Sequence, residues 1–326
     1  MKNRLLLGIM VILLTMSVIS CELLLEKPAK PTIHALFVSL DYYNTSIRLN
    51  GTIRDAKEIE SALSSLSTHF TIEMETTWML QEGESPSVSS LLYPTPSNIL
   101  NKIEELKSGL TEQDILFIYY SGHGYDPSES NPIGGDLAVA VQESETATST
   151  LYINDVLNLL NTIQRGKVIF VLDSCYSGNF VPDYPTGYPL INNDFEYNSR
   201  VFVLSASSKD NVSYERPIFR TEYESQLYDY TVDADDPRNH IHGVFTDLFL
   251  KGLGWHHGDG TGEVIDSAGV LTTIDGEIVD TSDIPTLRNG SITTSDIYNY
   301  ILTNISRQTP MTVSGPLDLV LFSEHW

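Results

Sequence analysis

Basic residues are scarce: 19 Lys and Arg stand against 43 Asp and Glu in 326 residues, a formal net charge of −24. A phosphate backbone is held by Lys and Arg, so nucleic acid is excluded as a partner class. A cationic peptide remains compatible with so acidic a surface. Cysteine is scarcer still, with only Cys21 and Cys175, and no cysteine-based zinc site follows from two thiols so far apart. Internal repeats are missing, and no composition shift marks a second domain. About 300 residues remain beyond the first stretch, enough to bury a sizeable core.

That first stretch reads as a targeting segment. Lys2 and Arg4 form a basic head, and Leu5 to Met16 is an apolar run too short for an ordinary membrane span. Val18-Ile19-Ser20-Cys21 closes it and resembles the bacterial lipobox, whose cysteine becomes the lipidated first residue of the mature chain. The expected organisation is a signal peptide over 1–20, a lipidated Cys21 with a tether over 21–31, and one domain over 32–326. The resemblance implies a bacterial cell-envelope location, with the membrane engaged through the lipid on Cys21. Cys175 is then left without a disulfide partner, and an unpaired thiol in an exported protein calls for a chemical reason.

Two stretches supply one. Val168 to Leu172 is an uninterrupted apolar run, as in a strand buried on both faces of a parallel sheet, and it breaks into Asp173-Ser174-Cys175-Tyr176-Ser177-Gly178. Ile115 to Tyr120 repeats the plan and ends in Ser121-Gly122-His123-Gly124. Ligand and catalytic groups of open α/β sheets stand just past the carboxyl ends of their strands. A lone cysteine or histidine there is ordinarily a core thiol or a structural imidazole. One of each, both in glycine- and serine-flanked turns, is the arrangement of nucleophilic cysteine catalysis.

These stretches, YYSGHG and VLDSCYSG, resemble the caspase-like cysteine peptidases, in particular the metacaspases and their bacterial relatives. His34 to Val38, Leu49-Asn50-Gly51-Thr52-Ile53-Arg54-Asp55-Ala56, Val201 to Ser207, His242-Gly243-Val244-Phe245-Thr246 and Gln308-Thr309-Pro310 resemble further family segments, in family order. The resemblance implies Cys175 as nucleophile, His123 as proton carrier, and the amides of Gly124 and Cys175 as the oxyanion hole. It also implies an acidic pocket at Asp55, Ser121 and Asp173, suited to an Arg or Lys before the cleaved bond, since carboxylates can bracket a guanidinium. The expected partner is thus a peptide or protein substrate with a basic residue.

No cofactor is required for this chemistry. Calcium activation in several metacaspases points to Asp136, Asn154, Asp155 and Asp183 as a candidate calcium set, with Asn154 standing where a carboxylate is expected. His240 with His242 and His256 with His257 are paired in sequence, but no ligand pattern accompanies them, and no zinc site is expected.

The remaining periodicities alternate strands and helices. Ile53, Ala56, Ile59, Leu63 and Leu66 mark one amphipathic helix, and Ile99 to Leu106 a second with Ser97 as N-cap. Helices are also expected from about Asn154, over 244–253 and over 297–305, with a last strand over 317–322. The fold class is α/β, a caspase-like fold with a mostly parallel central sheet flanked by helices on both faces, and polar insertions at about 181–199, 209–240 and 255–287. A lipid-anchored cysteine endopeptidase is the leading function. A catalytically inactive caspase-like scaffold is the alternative, with the insertions covering the cleft, and transpeptidation would use the same residues. Arg200, Lys209, Arg216 and Arg220 are candidate sites of self-processing.

Overall fold

The structure is a computed structural model and describes residues 30–43, 45–83, 89–126, 135–141, 148–181, 198–217, 241–258, 273–306, 308–312 and 318–326. The leader, Cys21, Asp183, Arg220 and His240 lie outside the described residues. No described helix is long and apolar enough to cross a membrane.

Five strands form the parallel core of the fold: β1 (Thr32–Leu40), β2 (Glu73–Gln81), β3 (Ile115–Ser121), β6 (Lys167–Asp173) and β7 (Val201–Ser205). Two more, β4 (Leu137–Val141) and β5 (Thr148–Leu151), make a hairpin beside them. The main sheet runs β14-β7-β6-β3-β1-β2, with β14 (Met311–Thr312) as an antiparallel edge. Alternate side chains enter opposite faces, the period-two consequence of an extended chain. Ile33, Ala35 and Phe37 of β1, with Phe117, Tyr119, Ile169 and Val171, join one apolar cluster. Leu36, Val38 and Leu40, with Leu116, Ile118, Val168 and Phe170, join the other. Both faces being covered is why these strands read as continuous apolar runs.

Helix α1 (Thr52–Phe70) buries Ala56, Ile59, Leu63 and Leu66 on the first face. There it meets α4 (Val244–Gly252) and α5 (Thr294–Asn304), whose Phe245, Phe249, Ile297 and Ile301 belong to the same cluster. The opposite face is covered by α2 (Pro96–Gly109) and α3 (Ile153–Asn161) through Ile99, Ile103, Val156 and Leu160. Each such aliphatic side chain taken from water contributes about 1.5–3 kcal/mol. The α2 cap is corrected by two residues: Thr95, not Ser97, accepts the Asn98 N–H, because Pro96 occupies the first helical position.

The insertions form small antiparallel pairs: β8 (Glu215–Pro217) with β9 (Ile241–Gly243), and β10 (Trp255–His257) with β11 (Gly276–Ile278). The expected last strand is shorter, β15 (Val320–Ser323). It pairs with β13 (Ser291–Thr293) in a separate three-stranded sheet that also holds β12 (Leu287–Arg288), rather than joining the main sheet. From β1 the chain passes to β2 on one side and to β3 on the other. The carboxyl ends of β1 and β3 therefore border the crevice where the strand order reverses, with the end of β6 beside β3.

Candidate active site

Strands β3 and β6 are hydrogen-bonded neighbours with Ser121 opposite Asp173, so their terminal turns leave the sheet side by side. The Gly122 N–H donates to the Asp173 carbonyl at 3.2 Å. Beyond it, the backbones of Gly124 and Cys175 touch: a Cβ on Gly124 would lie 2.0 Å from the Cys175 carbonyl oxygen. Only glycine permits that approach. The two turns predicted to carry His123 and Cys175 are thus joined directly.

His123 is oriented by groups that lie far away in sequence. Its Nε2 stands 2.7 Å from the Ile47 carbonyl. A carbonyl only accepts, so Nε2 carries the proton and Nδ1 is left as the basic nitrogen. The His123 N–H donates to the Tyr42 hydroxyl at 2.7 Å, and that hydroxyl donates to the Ala138 carbonyl at 2.7 Å. Tyr120 donates to the His123 carbonyl at 2.9 Å. The Tyr42 ring packs against the imidazole with centroids 4.6 Å apart. The expectation named no group orienting His123, because neither Tyr42 nor Ile47 belongs to its strand or turn.

Cys175 is half-buried, and its Sγ lies 3.8 Å from the Ser213 carbonyl. Burial, reinforced by the Asp173 and Glu215 charges, pushes the thiol pKa up. Burial pushes His123 down. Both shifts favour the uncharged forms, a thiol and a neutral imidazole, over a thiolate–imidazolium pair.

Next to this pair is a buried acidic pocket. Asp55, in the first turn of α1, accepts the Gly243 N–H at 3.1 Å and the His242 Nδ1–H at 2.7 Å. Asp173 accepts the hydroxyls of Ser213 at 2.6 Å and Thr246 at 2.7 Å. The two carboxylates converge on Gly243, where a Cβ would lie 2.1 Å from Asp173 Oδ2 and 3.2 Å from Asp55 Oδ2. A third carboxylate joins them: Glu215 accepts the N–H groups of Gly51 at 2.8 Å and Asn50 at 3.2 Å. Burial and the Asp55 charge raise Asp173 to about 6. Burial, with Asp55 and Asp173 close by, raises Glu215 to about 7. Asp55 is raised by burial too, although its bond from His242 opposes the shift. Ser121 is buried at the β3 end, opposite Asp173. Glu215 escaped the sequence reading because it lies in an insertion without periodicity; its only local signal is an acid within a short apolar-flanked segment.

The calcium residues are divided. Asp136 is buried and accepts the Ile153 N–H at 2.9 Å, starting α3. The Asn154 Oδ1 is buried without a partner, and Asp155 faces solvent in the first turn of α3.

Beneath Asp55 lies a second cluster, of Glu58, His242, His257 and Asp247, that the sequence did not single out as a unit. His242 and Glu58 are fully buried. Trp255 donates to Glu58 at 2.6 Å, and His257 spans Glu58 and Asp247 at 2.9 and 3.0 Å. Arg216 and Lys251 pair with Asp247 at 3.3 and 2.9 Å.

Residues 34–184 match the family model of the metacaspase, peptidase C14 domain. Curated relatives include Metacaspase-3 of Trypanosoma cruzi, 28% identical over 46% of this chain and 41% of its own length. Metacaspase-1 of Plasmodium falciparum is 28% identical over 56% and 30%, and Metacaspase-1 of Eremothecium gossypii 29% over 47% and 33%. The chain thus spans less than half the length of these relatives. The matched region, which holds His123, Cys175, Asp55 and Asp173, is similar to the metacaspase, peptidase C14 domain.

Proposed function

We propose that the chain is a cysteine endopeptidase cleaving after Arg or Lys, and that a lipid on Cys21 tethers it to the bacterial cell envelope. The specificity reading rests chiefly on one observation: Asp55, Asp173 and Glu215 converge beside the Cys175 turn, and no lysine or arginine contact accompanies their hydrogen bonds among the described residues. Two of them are held near the neutral edge of ionisation by mutual repulsion and burial, which a guanidinium or ammonium guest relieves.

The proposed chemistry runs through Cys175 and His123. A substrate carbonyl enters above the joined turns, and the Cys175 Sγ–H passes its proton to His123 Nδ1 as sulfur attacks. Negative charge on the carbonyl oxygen is taken by the N–H groups of Gly124 and Cys175, whose backbones touch. His123 then protonates the leaving amine, and water resolves the thioester with His123 again accepting a proton. The fixed Nε2–H bond to Ile47 keeps Nδ1 free for both transfers.

The test is cleavage of fluorogenic peptides ending in Arg, Lys or Asp by the full chain in detergent, with and without calcium, alongside Cys175→Ala. Cleavage after Arg or Lys that the variant loses supports the reading. Cleavage after Asp would keep the peptidase and discard the pocket assignment. A chain inactive in every condition, with a Cys175 that resists alkylation, would favour the inactive scaffold.

A further inference from the structure

Sequence spacing offers no zinc site, yet the tertiary structure brings one histidine of each pair onto a single glutamate. Ligand atoms of Glu58, His242 and His257 lie within 4.8 Å of one another. His242 and Glu58 are wholly buried, and His257 nearly so. Two atoms there have no hydrogen-bond partner: His242 Nε2 and Glu58 Oε1. They face each other at 3.5 Å. An unmade bond to a buried polar atom costs about 1–3 kcal/mol, so two such atoms side by side require an explanation.

We propose that Glu58, His242 and His257 bind a divalent transition-metal ion of the Zn2+ type. The separation of the orphaned atoms suits it. Bonds of about 2.0–2.1 Å at tetrahedral angles hold ligand atoms roughly 3.3–3.4 Å apart. Both rings are also oriented from behind as metal ligands are. The other nitrogen of His242, Nδ1, donates to Asp55 at 2.7 Å. The other nitrogen of His257, Nε2, donates to Asp247 at 3.0 Å. A carboxylate behind each imidazole fixes its tautomer and sharpens the lone pair aimed at the ion. Glu58 Oε2, held by Trp255 at 2.6 Å, also lies 2.9 Å from His257 Nδ1, so the ion would displace the proton between those two atoms, while Oε1 points at His242. Two imidazole donors select a borderline cation and disfavour calcium, which takes oxygen ligands.

The ion would tie α1, β9 and β10 together immediately under the acidic pocket. His242 would then be fixed between the metal and Asp55, so metal loading holds an Asp55 oxygen in place. The competing occupant is a proton on His242. Burial opposes it, but the Glu58 charge and the Asp55 bond outweigh burial and push His242 up to about 10. The two arrangements differ in what they bind, and a metal titration separates them.

The experiment uses the full chain in detergent carrying Cys175→Ala, which removes the thiol beside the pocket and makes the readout independent of peptidase activity. Metal is stripped by chelator and Co2+ or Zn2+ is returned. The expected result is one equivalent bound, visible d–d bands of a four- or five-coordinate Co2+ site, a raised Tm with Zn2+, and X-ray absorption showing imidazole scattering from two histidines. His257→Gln and Glu58→Gln should each weaken binding about 100-fold or more. No d–d bands together with an unmoved Tm would overturn the proposal in favour of the proton-held cluster. Undiminished affinity in both variants, or scattering from fewer than two imidazoles, would also overturn it, by locating the metal elsewhere. The scattering result decides even if a variant fails to fold.

Discussion

The Tyr42 hydroxyl accepts the backbone N–H of His123 at 2.7 Å while the Tyr42 ring packs 4.6 Å from the imidazole. One side chain, 81 residues upstream, thereby sets both the height of the histidine turn and the tilt of its ring. Tyr42→Phe keeps the ring and removes the hydroxyl, leaving the His123 N–H and one bond to the Ala138 carbonyl unmade. The expected cost is about 1–3 kcal/mol of stability. Catalysis should show a fall in kcat of roughly tenfold or more with KM little changed, as expected for misplacement of the proton carrier. Tyr42 is a positioning residue, so the acid limb of the pH–rate profile, which reports His123, should shift as well. An unchanged profile with a lowered Tm would reduce Tyr42 to a structural role.

Glu215 is raised to about 7 by burial and by its acidic neighbours. Its charge therefore appears as pH rises through 7, after Asp173 has ionised near 6. Cleavage after Arg should strengthen over this interval, chiefly through KM. Glu215→Gln should flatten the upper part of the rise and weaken kcat/KM for Arg substrates about 10- to 100-fold, the scale of a charge-assisted bond. Steady-state kinetics at half-unit pH steps provides the measurement, and an unaltered profile in the variant would remove Glu215 from the pocket.

The same repulsion destabilises the fold. A carboxyl raised in the folded state stabilises below its unfolded pKa, and that contribution is lost as pH rises through the folded value, here about 6. Asp173→Asn should consequently raise the stability at pH 8 relative to its effect at pH 4, by an amount on the order of 1–3 kcal/mol, read as a difference in Tm shift. Loss of the Ser213 and Thr246 charge-assisted bonds opposes this gain at both pH values, so the difference between them is the quantity to read. Cleavage after Arg should fall about 10- to 100-fold in the same protein. Thermal melts at the two pH values decide the first part.

Self-processing makes a separate prediction. Lys209 and Arg216 lie in the segment whose Ser213 and Glu215 border the site, while Arg200 precedes β7. Intact-mass measurement should find cleavage after one of these residues or Arg220 in the active chain and none in Cys175→Ala. Intact chains in both would end the idea.

Cys21 carries the anchoring prediction. Cells expressing the chain should incorporate labelled fatty acid into it, and Cys21→Ser should abolish the label while leaving the soluble activity of the extracted protein unchanged. Several acyl chains give stable anchoring where one light chain does not, so the variant should also leave the membrane fraction.

What the sequence by itself determined is what short-range chemistry encodes. Apolar runs at 115–120 and 168–172 had to be doubly covered strands, and the small polar residues after them had to turn. The turns that carry Cys175 and His123 were legible as strand ends, while Asp55 and Asp173 were singled out only through the family resemblance. Helix α1 was legible from its three- and four-residue spacing. Tertiary structure decided which distant groups meet. Tyr42 and the Ile47 carbonyl reach His123 because β1 lies beside β3 in the sheet. Glu215 reaches the pocket because β8 pairs with β9, and no periodicity announces a three-residue strand. Glu58, His242 and His257 converge from a helix and two short strands separated by up to 199 residues. Local pattern records which face of an element is apolar, but not which neighbour fills it; that is set by sheet order and crossover, and there the cluster beneath Asp55 is made.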